Sequence, residues 1–399
     1  MYVKRDFLET LRNATALEAV LLWGPRQVGK TTLLEQLELG SSILLDDLSV
    51  RQKAQADPAF ILDGLSLPCL IDEAQYASNL FPEIKLRIDH LRKEALKKNH
   101  TTKSKPIYYL TGSNRLLLDK NVKESLAGRC HIFTLHGLSV NEILHQFPQI
   151  QLKKILLYGG FPELYTRENL TPTRYLNDYI VSFIEKDIAQ SSGVEKLGEF
   201  QTLLHLLAAR SGHFLNMSDL SAAAGVDQKT VHNWIHILQR NHILDLVPPY
   251  FSNLSKRAIK MKKLFFYDTG LCARLQSHSD ENTLWNSAQA GSLFETLVFS
   301  EIIKTRDNFL KEWKIFTWRT KEQHEIDFIL QYQESFLFIE AKMGIHGAKT
   351  FILDHEACKI FKPPHQKIVV TVGGNFMPLD RTTYRVPIQQ LGEYLLSRF

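Results

Sequence analysis

The sequence predicts an α/β protein of more than one domain: a parallel sheet first, a mostly helical segment next, and a second α/β unit last. Two observations carry this. Short apolar runs alternate with helical periodicity over roughly the first 135 residues, fade, and return near Lys314. A chain of 399 residues also exceeds one ordinary core, and the change of pattern along it places domains at 1–150, 151–285 and 286–399.

The strands expected in the first segment are Glu18 to Trp23, Ser42 to Leu45, Pro68 to Ile71 and Ile107 to Leu110, with a weaker run at His131 to Leu135. Helical patterns lie between them at Thr31 to Glu38 and Phe81 to Lys98. Beyond Leu152 the pattern is helical, with Asn177 to Ala189 apolar on one side and charged on the other. Helices are then expected at Gln201 to Arg210, Ser218 to Ala224 and Gln228 to Asn241, followed by two strands joined by a basic loop, the order of a winged helix. The last segment opens on a helix at Leu293 to Lys304, and its strands are expected at Lys314 to Trp318, Ile326 to Gln331, Ser335 to Ala341 and Lys367 to Val372.

With 44% hydrophobic and 23% charged residues, the chain can bury a core and stay in solution. No run approaches 18 apolar residues and Met1 to Asp6 lacks the apolar centre of a signal peptide, so a cytoplasmic protein without a membrane partner is expected. Cys69, Cys130, Cys272 and Cys358 are scattered and form no CxxC pair, which argues for reduced, packed thiols over a zinc site or disulfides. A net charge of +5 is mild and decides nothing by itself.

Residues Gly24-Pro25-Arg26-Gln27-Val28-Gly29-Lys30-Thr31 fit G-x-x-x-x-G-K-[ST] and stand between an expected strand and an expected helix, as a phosphate-binding loop requires. Backbone N–H groups of Gly24 to Thr32 would surround the phosphates, Lys30 would neutralise the β and γ oxygens, and the Thr31 hydroxyl would ligate magnesium. Cys69-Leu70-Ile71-Asp72-Glu73 ends a strand on two carboxylates: Asp72 suits the metal, and Glu73 suits the water that attacks. Thr111-Gly112-Ser113-Asn114 closes another strand. Ser113 and Asn114 are sensor candidates there, although a turn with Asn114 as a helix cap explains the same letters. Arg129 can serve a neighbouring subunit's phosphate, which would require a homo-oligomer, or can be a structural ion-pair partner.

Together with Asp72 to Gln75, Ser125 to Arg129, Gly159-Gly160-Phe161-Pro162-Glu163 and the segment opening at Gly291, these motifs resemble a family of prokaryotic AAA-type P-loop ATPases over nearly the whole chain. The resemblance implies an ATPase core using ATP and Mg2+, a winged helix and a C-terminal domain of restriction-endonuclease-like fold. No Asn-Lys-x-Asp segment that would read guanine is present.

Lys256, Arg257, Lys260, Lys262 and Lys263 place five cations within eight residues where the wing would be, and Gln228, Lys229, His232 and Asn233 lie on the third helix. These suit DNA phosphates and bases, or equally a solvated hairpin and a packed helix. Glu295, Asp327 and Glu340-Ala341-Lys342 resemble the core of restriction endonucleases. Asp327 and Glu340 would share a metal, Lys342 would orient the attacking water or stabilise the pentavalent phosphate, and Glu295 would assist from the helix. An ion-pair cluster accounts for the same residues. The leading expectation is an ATPase acting on nucleic acid. The alternatives are a nucleotide-dependent binding module with an inactive docking domain, and a chaperone-like ATPase.

Overall fold

The computed structural model describes residues 1–15, 17–97, 105–113, 124–190, 192–250, 261–319, 325–344 and 365–398. They fall into two compact units, Met1–His136 and Gly137–Phe399.

Five strands build the first unit: β1 (Ala19–Trp23), β2 (Ser41–Leu44), β3 (Cys69–Asp72), β4 (Tyr108–Gly112) and β5 (Cys130–Thr134). All five expected runs are strands, including the weak one. They lie in the order β2-β3-β4-β1-β5, and every pairing is parallel. Strand β1 is apolar throughout because it is covered on both faces. Ala19, Leu21 and Trp23 pack with Phe81, Ile84 and Ile88 of the helix Leu80–Lys97, while Val20 and Leu22 join Phe7, Leu8, Leu11 and Leu33 on the other side. Each such leucine or isoleucine contributes roughly 1.5–3 kcal/mol of burial. Phe7, Leu8 and Leu11 sit on a short helix, Phe7–Arg12, that the periodicity did not reveal. Just ahead of it, Arg5 is buried and donates to the carbonyls of Val28 at 2.9 Å and His136 at 2.7 Å.

Because β4 lies between β1 and β3, its end stands beside both. Trp23 pairs with Gly112, and Ile71 with Leu110. The carboxyl ends of three parallel strands therefore meet at one edge, where open α/β sheets hold ligands.

The second unit begins with helices. Val140–Gln146 starts on a capping box between Ser139 and Glu142. Leu152–Tyr158 follows, then Pro172–Tyr179, which continues as a wider π-helix over Ile180–Gln190 and bears out the helical connector. The three helices expected next are present as Leu197–Ala208, Met217–Ala224 and Gln228–Arg240. The last is capped by Asp227, whose carboxylate accepts from the Thr230 N–H at 2.9 Å. It buries Val231, Trp234, Ile235 and Leu238 and leaves Gln228, Lys229, His232 and Asn233 exposed.

Strands β6 (Leu244–Val247) and β7 (Lys263–Phe266) pair antiparallel. Of the five expected wing cations, Lys256, Arg257 and Lys260 lie outside the described residues and Lys262 is exposed. Lys263 corrects the expectation: it is the first residue of β7 and is buried. The reason is a set of carboxylates contributed by distant segments.

The helix Ala290–Asn308 is buried along most of its length, apolar residues such as Leu293, Phe294, Leu297 and Ile302 together with polar ones such as Glu301 and Lys304, which pair with each other. Beside it lie β8 (Lys314–Arg319), β9 (Glu325–Tyr332), β10 (Ser335–Lys342), β11 (His365–Thr371), β12 (Met377–Pro378) and β13 (Thr383–Pro387), in the sheet order β12-β13-β11-β10-β9-β8. The β12–β13 edge was not expected.

Among the described residues no helix is long and apolar enough to cross a membrane. Cys69, Cys130 and Cys272 are free thiols, and burial pushes Cys69 and Cys130 up to about 12. Cys358 lies outside the described residues.

Candidate functional site

At the end of β1 the backbone turns at Gly24, where a Cβ would stand 2.2 Å from the Leu135 carbonyl oxygen, so only glycine fits. Gly29 has φ +88° and precedes the helix Lys30–Leu34. Between these glycines the chain loops around Lys30, which is buried. Its ammonium donates to the carbonyls of Gly24 at 3.0 Å and Pro25 at 2.9 Å. Those two bonds hold the amine inside the loop. Burial lowers Lys30 to about 8, against the opposing pull of Glu73 and Asp72.

Asp72 ends β3 and meets this loop. The Thr31 hydroxyl donates to Asp72 Oδ1 at 2.8 Å, and the Thr111 hydroxyl from β4 reaches the same oxygen. Thr111 Oγ1 also accepts from the Glu73 N–H at 2.9 Å, so one threonine orients both acidic positions. Glu73 has φ +54°, an unusual left-handed conformation for a glutamate. Its Oε2 accepts from the Ser113 hydroxyl at 2.9 Å and from the Gln75 side chain. Lys30, Thr31, Asp72, Glu73 and Ser113 thus converge, as their positions at three adjacent strand ends require. Asn114 lies outside the described residues.

Thr111, Gln75 and Tyr76 escaped the sequence reading. Thr111 could have been found, because it shares a strand face with Ser113 two residues on. Tyr76 needed the fold: its hydroxyl accepts from Arg26 at 3.1 Å, and the Arg51 guanidinium lies 4.0 Å from its ring centre. Asp46 joins the same charged surroundings; burial and the charge of Glu73 raise its pKa. Of the remaining loop residues, Gln27 and Thr32 are exposed and Val28 is packed.

Arg129 is held away from these groups. It pairs with Asp89 of the helix Leu80–Lys97 through two bonds, at 2.6 and 3.0 Å, and also donates to the Ala127 carbonyl at 2.9 Å. Arg92 from the same helix donates to the Gly128 carbonyl at 3.1 Å and pairs with Glu18. Two arginines thus pin the segment Ser125 to Arg129.

In the second unit, the four nuclease-like candidates occupy one neighbourhood on the helix Ala290–Asn308, β9 and β10. Asp327 Oδ2 accepts from the Ala341 N–H at 2.8 Å, and Lys342 Nζ lies 2.8 Å from Glu340 Oε2. Burial, followed by the charge of Asp327, raises Glu340 to about 7, with Lys342 opposing. Burial and Asp327 likewise raise Glu295. Two residues not anticipated complete the cluster: Glu325, and Lys263 from β7. The Lys263 ammonium contacts Glu295, lies 2.5 Å from Glu325, and is 3.7 Å from Asp327.

Residues 17–144 match the AAA domain family, and residues 149–282 and 290–391 match two domains of unknown function. An uncharacterized protein of Mycobacterium tuberculosis is 26% identical over 397 residues, covering 97% of this chain and 84% of its own. One of Methanocaldococcus jannaschii is 24% identical over 294 residues, covering 62% and 60% respectively. Among solved structures, the Aeropyrum pernix ORC2 protein aligns over 69% of this chain and 93% of its own at 12% identity, with a TM-score of 0.35. With the family match falling on the five-stranded parallel sheet and its phosphate loop, the first unit is a P-loop domain of AAA type.

Proposed function

We propose that the chain is an ATPase that binds ATP with Mg2+ in the first unit and hydrolyses it, and that it acts on nucleic acid through its remaining domains. The observation that carries this is the meeting of Lys30, Thr31, Asp72, Glu73 and Ser113 at three adjacent strand ends. Thr31 and Asp72 place hard oxygens side by side, a donor pair suited to Mg2+. When bound, the ion would neutralise charge on the phosphate oxygens. Lys30 would exchange its loop carbonyls for those oxygens. Glu73, steadied by Ser113 and Gln75, would take a proton from the attacking water as the new P–O bond forms and the bond to the ADP oxygen breaks.

The domain division 1–150, 151–285 and 286–399 belongs to the same proposal. The middle domain is read as a winged helix because its third helix leaves Gln228, Lys229, His232 and Asn233 exposed opposite a buried face. The test is ATP turnover with and without single- and double-stranded DNA. Stimulation by either is expected, and identical rates under all three conditions would remove nucleic acid as the partner.

Arg129 is proposed as a structural residue first, given its hold on Asp89. If that is its whole role, Arg129→Ala and Asp89→Ala should lower the melting temperature alike and leave turnover per folded protein unchanged. A loss of turnover in Arg129→Ala alone would assign it to a neighbouring subunit's phosphate and require an oligomer. A second reading of the C-terminal domain, as a docking surface that does not cleave, is favoured by the lysine within its carboxylate cluster.

A further inference from the structure

The restriction-endonuclease likeness of the C-terminal domain implies a divalent metal on its carboxylates, and the residues present do not fit one. Glu295, Glu325 and Asp327 have oxygens within 4.8 Å of one another, the spacing at which a shared ion would sit. These are the same three carboxylates that surround the Lys263 ammonium. Lys263 is 2% exposed, and its ammonium stands 5.9 and 5.7 Å from the ring centres of Phe214 and Phe265.

The position of this amine is fixed from its backbone outwards. Lys263 pairs with Val247 across the β6–β7 ladder, and the next residue, Leu264, accepts from Gly212 at 2.7 Å and donates to His213 at 3.0 Å. One turn from Glu295 on the long helix, Phe299 stacks on Phe265 at 4.9 Å, so apolar packing and ion pairing align the same two elements. The ammonium lies 2.5 Å from Glu325 and contacts Glu295, and Asp327 stands 3.7 Å away as an ion-pair partner. A divalent ion would need those oxygens for itself and would be repelled by a cation within a few ångströms.

We infer that Lys263 is the resident cation of this cluster and keeps divalent metal out of it, so that the C-terminal domain is an ion-paired core joined to β7 and not a metal-dependent hydrolytic centre. Two observations support this. Glu295 from the long helix and Glu325 and Asp327 from β9 converge on the one buried ammonium. Two further cations are already engaged: Lys342 pairs with Glu340 at 2.8 Å, and Arg319 lies 4.0 Å from Glu325. The inference does not depend on the ATPase reading, because every residue in it lies in the second unit.

The test is Mn2+ binding, read by electron paramagnetic resonance on the full chain without nucleotide, in an Asp72→Asn background that silences the other acidic site. This parent should show no saturable Mn2+ site with a Kd of about 10⁻⁴ M or tighter. Lys263→Met should gain one and should melt at higher temperature when Mn2+ is added; Glu325→Gln added to it should lose the gained site. A parent that already binds Mn2+ this tightly and loses it with Glu325→Gln would overturn the inference, and so would a folded Lys263→Met that gains nothing. If Lys263→Met does not fold, the parent and its Glu325→Gln variant still decide, since an Mn2+ site there in the presence of Lys263 is what the inference forbids.

Discussion

Lys30→Ala is expected to abolish measurable ATP binding. The Lys30 ammonium is buried and held by the Gly24 and Pro25 carbonyls, poised to transfer to phosphate oxygens. Each charge-assisted hydrogen bond lost with it contributes about 1.5–3 kcal/mol. Losing two of them weakens binding by at least about a hundredfold. The same lysine sets a pH dependence. Burial lowers it to about 8 in the nucleotide-free protein, so below that pH it carries the charge ATP requires, and above it a proton must be taken up on binding. Affinity should be level below about pH 8 and fall above it by up to about tenfold per unit. Lys30→Arg does not titrate in that range, so any binding it retains should lack this fall. Calorimetry across pH 7 to 9.5 would check this; equal affinity at both ends in the wild type would contradict the assignment.

Glu73→Gln is expected to bind ATP normally and turn it over about 10²–10⁴ times more slowly, the usual contribution of a general base. The amide matches the carboxylate in shape, and its carbonyl oxygen can still accept the Ser113 hydroxyl, which now bonds Glu73 at 2.9 Å. What it lacks is the capacity to take a proton from water. Phosphate release measured beside nucleotide binding separates the two effects. Unchanged turnover would remove Glu73 from the reaction, and loss of binding would make its role structural.

The sequence disclosed the parts of the first unit more fully than their arrangement. Local apolar runs are dense enough to mark all five strands, and Gly24 to Thr31 and Asp72-Glu73 are contiguous signals. That β4 lies between β1 and β3 is a long-range property, and it makes Thr111 a joint between Asp72 and Glu73. Tyr76 and Arg26, 50 positions apart, meet for the same reason.

In the second unit Lys263 is buried, against the expectation of a solvated wing. A lysine beside other basic residues looks solvated, because burying a lone charge is costly. The cost disappears only once Glu325, 62 positions away, and Glu295 arrive through the fold. The Leu-Phe-Phe that follows Lys263 was the available sign that a buried strand begins there. The β12–β13 edge escaped for a simpler reason: β12 is two residues long and carries no period to read.

The grip of one triphosphate between the loop of Lys30 and the acidic tip of Asp72 and Glu73 is tested most directly by calorimetric titration of magnesium-ATP into the wild-type and Lys30→Ala chains. One saturable site per wild-type chain is expected, and none in the variant. Absence of uptake by the wild type, or equal uptake by both, would contradict it.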